Sequence, residues 1–184
     1  KRLGELGVLQ RINSSLKGDG WMAQVFEKAR QLSKPSQLLT QYLCLLIYSL
    51  SEGENERLLC HLNVPAKLAR VLSDTLRLKA QLHLLDKPSL RHSDIYYLLC
   101  DYEPLAIQTN IIASESSLVR HNLELFLSKL RYVKTFLSGE ELKGLGIAAG
   151  PEMGKMLREL HKAKLDGEVK TRTEEEKLAL LLKP

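Results

Sequence analysis

The strongest candidate for ligand-binding chemistry is a glycine-rich stretch followed by basic residues, at positions 142–160 (LKGLGIAAGPEMGKMLREL). Its glycines superficially resemble a nucleotide-binding loop, but they miss the dinucleotide-binding spacing and no strand is predicted before them. The segment GPEMGKM has three residues between its glycines, where a P-loop has four, and Met156 occupies the position of the magnesium-binding Ser or Thr. The stretch is therefore predicted to be a turn between two helices.

The glycines fit such a turn by position. Gly144 or Gly146 can end the first helix in the left-handed conformation. Gly150 is the predicted N-cap of the second helix, and Pro151 suits its first position because the missing N–H would be unpaired there anyway.

The second helix carries a basic face. At 100° per residue, Lys155, Arg158 and Lys162 fall together, opposite Met153, Met156, Leu157 and Leu160. Cationic side chains next to a helix N-terminus bind phosphates, as in the helix-hairpin-helix modules that bind nucleic-acid backbones. A merely solvated face is the alternative that the pattern leaves open. The candidate RNA-binding residues are Lys143, Gly144, Gly146, Gly150, Lys155, Arg158, Lys162, Lys164, Lys170 and Arg172.

Catalytic and metal-binding patterns are missing from the sequence. There is no His-Glu-x-x-His helix, no Gly-x-Ser-x-Gly elbow and no Asp-x-Asp pair. Glu52, Glu54 and Glu56 are predicted to lie in a solvated loop. We therefore predict no catalytic residue and no metal ligand. Cys44, Cys60 and Cys100 match no zinc or redox spacing, and we expect buried, reduced thiols of a cytosolic protein.

The charge of the chain is uneven. The net charge is +5, and two basic zones, residues 60–92 and 120–172, flank an acidic zone, residues 93–119. Basic zones favour a polyanionic partner. The longest apolar run, residues 42–50, is about half of a membrane span, so we expect a cytoplasmic protein without a membrane partner.

Leucine-rich sequence with helical apolar spacing predicts an all-α fold, a multi-helix array with a small helical C-terminal tail subdomain. Ser93 is a predicted N-cap, and Ser138 with Glu141 is a predicted capping box. Thr173 is predicted to repeat that device before the last helix. The predicted helices are 2–12, 21–32, 36–50, a short one to 61, 65–85, 94–100, 104–113, 117–137, a short one after 138, one after Pro151, and 174–182.

Three segments carry a resemblance to a known family. They are residues 2–16 (RLGELGVLQRINSSL), 93–111 (SDIYYLLCDYEPLAIQTNI) and 136–175 (FLSGEELKGLGIAAGPEMGKMLRELHKAKLDGEVKTRTEE). Together they resemble the neck, body and tail of the bacterial class II tRNA nucleotidyltransferases and poly(A) polymerases, the CCA-adding, A-adding and polyadenylating enzymes. The resemblance implies the end of the neck helices at 1–34, a helical body at 35–137 and an RNA-binding helical tail at 138–184.

The resemblance also implies that catalysis and RNA binding lie in different parts of the enzyme. In the family, a catalytic head N-terminal to this segment uses Mg²⁺ and ATP, with CTP for CCA addition, and none of its motifs appears here. The body and tail hold the acceptor and T arms of tRNA by their phosphates. We therefore expect a C-terminal part of a longer enzyme, inactive alone and without a cofactor of its own, whose partners are tRNA or other RNA 3′ ends. Asn13 and Ser14 stand where the family often has His-Pro, which fits a divergent subfamily.

Two other classes of function remain open. An apolar helix at 36–50 is also typical of a protein-interaction or dimerisation module, with the charges merely solvated. A helix-hairpin-helix protein that binds duplex DNA is the other possibility. The sequence does not determine the oligomeric state or which nucleotides a parent enzyme adds.

Overall fold

The computed structural model describes Leu16, residues 19–148 and residues 150–183. These residues form ten α-helices, three short 3₁₀ segments and no strand, which confirms the predicted all-α class. The helices are α1 (Gly20–Leu32), α2 (Leu38–Leu46), α3 (Glu52–His61), α4 (Ala66–Leu85), α5 (His92–Leu99), α6 (Pro104–Ala113), α7 (Ser117–Ser128), α8 (Gly139–Gly144), α9 (Pro151–Leu165) and α10 (Arg172–Leu181). The 3₁₀ segments are Pro35–Gln37, Ile47–Ser49 and Leu130–Tyr132.

The chain divides into two compact units. Unit 1 comprises the described residues within 1–88 and 101–124, and unit 2 comprises the described residues within 89–100 and 125–184. The domain boundaries predicted after residues 34 and 137 stay predictions. The predicted helix at 2–12 and the Asn13-Ser14 position lie outside the described residues.

The core of unit 1 is built around α2. Cys44 of α2 packs in an apolar cluster with residues of α4, and its neighbour Leu45 packs in a second cluster with residues of α1 and α6. Adjacent residues on a helix point about 100° apart, so one helix supplies both clusters. The central position predicted for this apolar segment is confirmed, although 3₁₀ segments rather than α-helix form both of its ends.

Unit 1 also buries a set of paired polar side chains. The amide of Gln41 donates to Thr109 at 2.6 Å, and the hydroxyl of Tyr48 donates to Asn110 at 2.9 Å. Asn110 in turn donates to the carbonyl of Thr75 at 3.1 Å. Burial raises the pKa of Tyr48. Most buried polar groups have a partner, and these hydrogen bonds stabilise the packing of α2, α4 and α6, although the side-chain oxygen of Gln41 has no partner among the described residues.

Unit 2 is a small helical unit with its own core. Seven residues of its apolar cluster are buried: Leu137, Leu142, Ile147, Met153, Met156, Leu160 and Ala179. The apolar face predicted for α9 is therefore confirmed for Met153, Met156 and Leu160, and Leu157 packs against the same cluster. Helices α8, α9 and α10 are too short to be stable alone, and this shared core stabilises them.

Several helix ends agree with prediction. The capping box of Ser138 and Glu141 is present, with the Glu141 N–H donating to the Ser138 hydroxyl at 3.3 Å. Pro65 lies at the N-cap of α4, and Pro104 and Pro151 open α6 and α9.

Three predicted helix starts are wrong. Glu52, Glu54 and Glu56 lie in α3 instead of a loop, because Ser51 forms a capping box with Glu54. Thr171, and not Thr173, caps the last helix, since Thr171 forms the box with Glu174. Ser93 lies inside α5, where its N–H and hydroxyl both donate to the Asp166 carboxylate at 2.8 Å.

The predicted helix at 117–137 ends early. Helix α7 stops at Ser128, and the N–H groups of Phe136 and Leu137 donate to the Glu175 carboxylate at 3.0 and 2.9 Å instead of to the preceding turn. Leu137 is still buried, so the apolar spacing predicted burial correctly but not the helix. The cysteine prediction is also wrong in part, because Cys60 and Cys100 are exposed while Cys44 is buried.

Candidate nucleic-acid interface

The glycine-rich stretch forms the predicted turn between α8 and α9. Helix α8 ends at Gly144, and Gly146 has the left-handed backbone that closes the turn, with φ at +79°. The N–H of Ile147 donates back to the carbonyl of Leu142 at 3.1 Å. Gly150, with φ at +154°, is the N-cap of α9. The glycines are therefore accounted for by the turn itself.

Gly146 is needed for its backbone conformation, and the flexible end of the Lys183 side chain lies beside it. A Cβ at this position would lie 3.0 Å from the Nζ of Lys183. That ammonium donates to the carbonyl of Leu145, which caps α8, at 3.3 Å. A cation at a helix C-terminus pairs with carbonyls that have no partner within the helix. The turn thus brings an additional cation, missed from the sequence, to the glycines.

The predicted basic face of α9 is neutralised in part by acids on the same helix. Lys155 pairs with Glu152 at 2.8 Å, and Lys162 pairs with Glu159 at 2.7 Å. The hydrogen bond and charge of Glu152 raise the pKa of Lys155. Arg158, which lies between the two lysines, forms no ion pair with any described residue. Pairs of this kind are weak on a surface, so both lysines remain able to exchange partners.

The three cations of this face line three different depressions of unit 2. Lys155 lines a cavity of about 430 Å³ together with Gly146, Glu152, Glu159 and Lys183. Lys162 lines a depression of about 290 Å³ with Asp94, Glu159, Asp166 and Glu168. Arg158 lines a groove of about 520 Å³ with Lys134. The face is therefore not a single row of equivalent phosphate contacts.

The third depression is rich in aromatic rings. This aromatic groove is lined by Tyr96, Tyr97, residues 133–138, Leu157, Arg158 and His161. The Arg158 guanidinium lies over the Tyr97 ring at 4.6 Å from its centroid. Lys164 lies over the ring of Phe136 at 3.2 Å. Two of the predicted cations, Arg158 and Lys164, thus rest on aromatic faces.

His161 fixes two walls of the aromatic groove. Its Nε2 is 3.0 Å from the carbonyl oxygen of Val133, and its Nδ1 is 3.1 Å from the hydroxyl of Tyr97. A carbonyl only accepts, so Nε2 carries a proton, and the Tyr97 hydroxyl lies within hydrogen-bond distance of Nδ1 and, at 3.4 Å, of the Arg158 carbonyl. Burial raises the pKa of Tyr97, and the nearby Arg158 charge opposes this rise.

Glu175 holds the remaining wall, which bears Phe136. Its carboxylate is completely buried and accepts from two consecutive N–H groups, those of Phe136 and Leu137. Two charge-assisted hydrogen bonds fix this irregular segment without regular secondary structure. Phe136 itself remains 39% exposed.

The other predicted cations lie around a bridge between α8 and α10. Arg172 pairs with Glu141 at 2.6 Å and with Glu176 at 3.0 Å. These bonds raise the pKa of Arg172. Lys143 follows Glu141 by two residues, and Lys170 precedes Arg172 by two. Neither lysine forms a close ion pair within the described part of the chain, although the charge of Lys170 acts on the nearby Glu174 carboxylate.

Sequence reasoning missed the aromatic side of this surface. Tyr97, Phe136, His161 and Lys134 are absent from the predicted set, although they surround Arg158. The available signal was composition, because aromatic residues are only 5% of the chain and the Tyr96-Tyr97 pair is therefore conspicuous.

The described residues contain neither a metal-binding cluster nor a membrane-spanning helix. Across Leu16, residues 19–148 and residues 150–183, no group of three or more His, Cys, Asp or Glu side chains is arranged to hold a metal ion. None of the helices in the same residues has the length and apolar character that crossing a membrane requires.

Comparison with known proteins gives one informative relative. An A-adding tRNA nucleotidyltransferase from Geobacter sulfurreducens is 33% identical over 96 residues, which are 52% of this chain and 11% of that protein. The matched region thus spans about a tenth of the relative's length. No family model and no solved structure matches the chain. The similarity supports the predicted relationship to tRNA nucleotidyltransferases at the level of the family.

Proposed function

We propose that this chain is an RNA-binding region of a tRNA nucleotidyltransferase or poly(A) polymerase. In this proposal unit 2 holds the acceptor and T arms of tRNA by their phosphates, while a catalytic domain elsewhere adds nucleotides to the 3′ end. The observation that carries the proposal is the 33% identity to an A-adding tRNA nucleotidyltransferase. A addition is therefore our first choice, ahead of CCA or poly(A) addition.

The charges of unit 2 support phosphate binding. Most of its cations form no ion pair with described acids, among them Lys134, Lys143, Arg158, Lys164 and Lys170. RNA phosphates displace counterions when they meet such groups, and this release supplies most of the non-specific affinity. Lys155 and Lys162 contribute less, since each must first give up its acid partner.

The cofactors of the reaction belong to the catalytic domain in this proposal. ATP and Mg²⁺, with CTP if CCA is added, would be bound there. This chain would supply no catalytic group, only the position and orientation of the RNA.

Salt-dependent tRNA binding tests the proposal. We expect the logarithm of the association constant to fall linearly with the logarithm of salt concentration, measured by fluorescence anisotropy with labelled tRNA. Arg158→Ala should lower the slope by about 1, and Lys155→Ala or Lys162→Ala should lower it less, because those lysines are already paired. Affinity that does not respond to salt, or equal competition by duplex DNA, would contradict the proposal.

A protein-interaction role is the second candidate. Leu180, Leu181 and Leu182 at the end of α10 are 52%, 82% and 41% exposed, and consecutive exposed leucines favour a partner surface. Light scattering discriminates between the two functions. A stable dimer that does not shift tRNA in a gel would support this second function and contradict the first.

A further inference from the structure

The aromatic groove differs in charge from its neighbours on unit 2. The described residues that line it include Lys134 and Arg158 but no Asp or Glu. The cavity beside Gly146 has two acids and two lysines in its lining. The depression at Lys162 has four acids and two cations. The lining is therefore positive in the aromatic groove, balanced in the cavity beside Gly146 and negative in the depression at Lys162, so an anionic ligand is most favoured in the aromatic groove.

The rings of the aromatic groove suit a flat ligand. Arg158 is exposed and lies over Tyr97, so the ring and the guanidinium form a stacked pair. Planar guanidinium groups and aromatic rings both stack on nucleobases. Phe136, also partly exposed, provides a second ring in the same groove.

The walls of the aromatic groove are fixed before any ligand arrives. His161 bonds to Tyr97 and to Val133, and Glu175 bonds to the two N–H groups at Phe136 and Leu137. A site whose side chains are already ordered loses little conformational entropy on binding.

We propose that the aromatic groove binds an unpaired nucleobase of RNA. The base stacks on the Phe136 ring in place of the Lys164 ammonium that lies over it without ligand, and the adjacent phosphates contact Arg158 and Lys134. Inside a duplex both faces of each base are covered by neighbouring base pairs, whereas a single-stranded or flipped-out nucleotide offers a free face. The inference rests on the proposed function and adds a site to it that phosphate binding alone does not require.

The test compares two labelled probes by fluorescence anisotropy, a short oligouridylate and a blunt-ended RNA duplex. Phe136→Leu removes the ring and keeps an apolar side chain. It should weaken oligouridylate binding about tenfold, the scale of one stacked base, and leave duplex binding unchanged within about twofold. Phe136→Tyr keeps the ring and should bind oligouridylate as the unmodified chain does.

The matched control is Tyr132→Leu. Tyr132 is 65% exposed and carries Arg131 over its ring at 5.2 Å, but it does not line the aromatic groove. Tyr132→Leu should leave both affinities unchanged. Equal losses in Phe136→Leu and Tyr132→Leu, or no loss in Phe136→Leu, would overturn the inference.

Crosslinking keeps the inference testable if Phe136→Leu does not fold. An oligouridylate that contains thiouridine should label peptides with residues 96–97 or 133–138 of the unmodified chain, and labelling elsewhere would overturn the inference. If tRNA binding depends on salt but oligouridylate does not bind, the inference is overturned and the proposed function is not. Failure of both RNAs to bind would overturn the proposed function too.

Discussion

Unit 1 and unit 2 place their polar side chains differently. Unit 1 buries Gln41, Thr109 and Asn110 in pairs between its helices, where solvent does not reach them. Unit 2 buries the carboxylate of Glu175 to hold an irregular segment, and it leaves Arg158 and Phe136 at the surface. Under the proposed function, unit 1 supplies stability and unit 2 contacts the RNA.

The largest loss of stability is predicted for a substitution of Glu175. Glu175→Ala leaves the N–H groups of Phe136 and Leu137 without an acceptor, and Leu137 is buried. The cost to unit 2 should be about 3 kcal/mol, since each unpaired buried group costs about 1–3 kcal/mol. Urea denaturation measures this loss. Oligouridylate binding should weaken too, because Phe136 is no longer held in place.

Unit 1 provides the counterpart to this variant. Asn110→Ala leaves the hydroxyl of Tyr48 without its acceptor, and the loss of stability should be about 2 kcal/mol. RNA binding should not change at a temperature where the chain is folded. Glu176→Ala is the control for Glu175, because Glu176 is the adjacent acid on α10 and bonds only to Arg172 among the described residues. An RNA-binding defect in folded Asn110→Ala would contradict the assignment of RNA binding to unit 2.

A smaller effect is expected at the cap of α10. Thr171→Ala should cost about 1 kcal/mol because the Thr171 hydroxyl accepts the N–H of Glu174. Thr173→Ala should change stability by less than about 0.5 kcal/mol, since Thr173 is exposed and does not cap the helix. Thermal unfolding of the two variants measures the difference. A larger loss of stability in Thr173→Ala than in Thr171→Ala would instead support Thr173 as the capping residue.

The smallest predicted effect is a dependence of unit 2 on acid pH. The backbone N–H of Ser138 donates to the Glu141 carboxylate and lowers its pKa. The backbone N–H groups of Lys170 and Thr171 donate to the Glu174 carboxylate and lower its pKa in the same way. Between the lowered pKa and the ordinary value of 4.5, the unfolded chain binds more protons than the folded one. The stabilisation is therefore complete above pH 4.5 and is lost as pH falls through the lowered pKa.

Thermal unfolding between pH 3 and pH 6 measures this dependence. The double variant Glu141→Gln and Glu174→Gln should lose part of the pH dependence in this window. An unaltered pH profile would contradict the assigned pKa shifts.

Local sequence rules predicted much of the fold but little of the candidate site. The Ser138 box and the Pro151 helix start depend on neighbouring residues and were predictable. The pairing of Lys155 with Glu152 was also accessible, because residues three apart meet on a helix. The contact of Arg158 with Tyr97 joins residues 61 positions apart in sequence, and no local pattern specifies it.

The irregular segment before α8 was also not predictable from local sequence. Its apolar spacing continues that of α7, but the Glu175 carboxylate competes for the N–H groups that a helix would use. A partner 38 or 39 residues away in sequence thus decides the local structure. The position of Phe136 in the aromatic groove follows from this long-range contact.

The most direct test of the account compares the salt dependence of tRNA binding in two charge-removing variants. One removes three unpaired cations of unit 2, and the other removes three exposed cations of unit 1. The unit 2 variant changes Lys143, Arg158 and Lys170 to Ala, and the unit 1 variant changes Lys28, Lys67 and Lys87 to Ala. Both variants lose three positive charges, so a general effect of net charge is matched between them.

The account predicts that the slope of log association constant against log salt becomes shallower by about 2 to 3 in the unit 2 variant and by less than about 1 in the unit 1 variant. Equal changes in the two variants, or a larger change in the unit 1 variant, would contradict the claim that unit 2 holds the RNA.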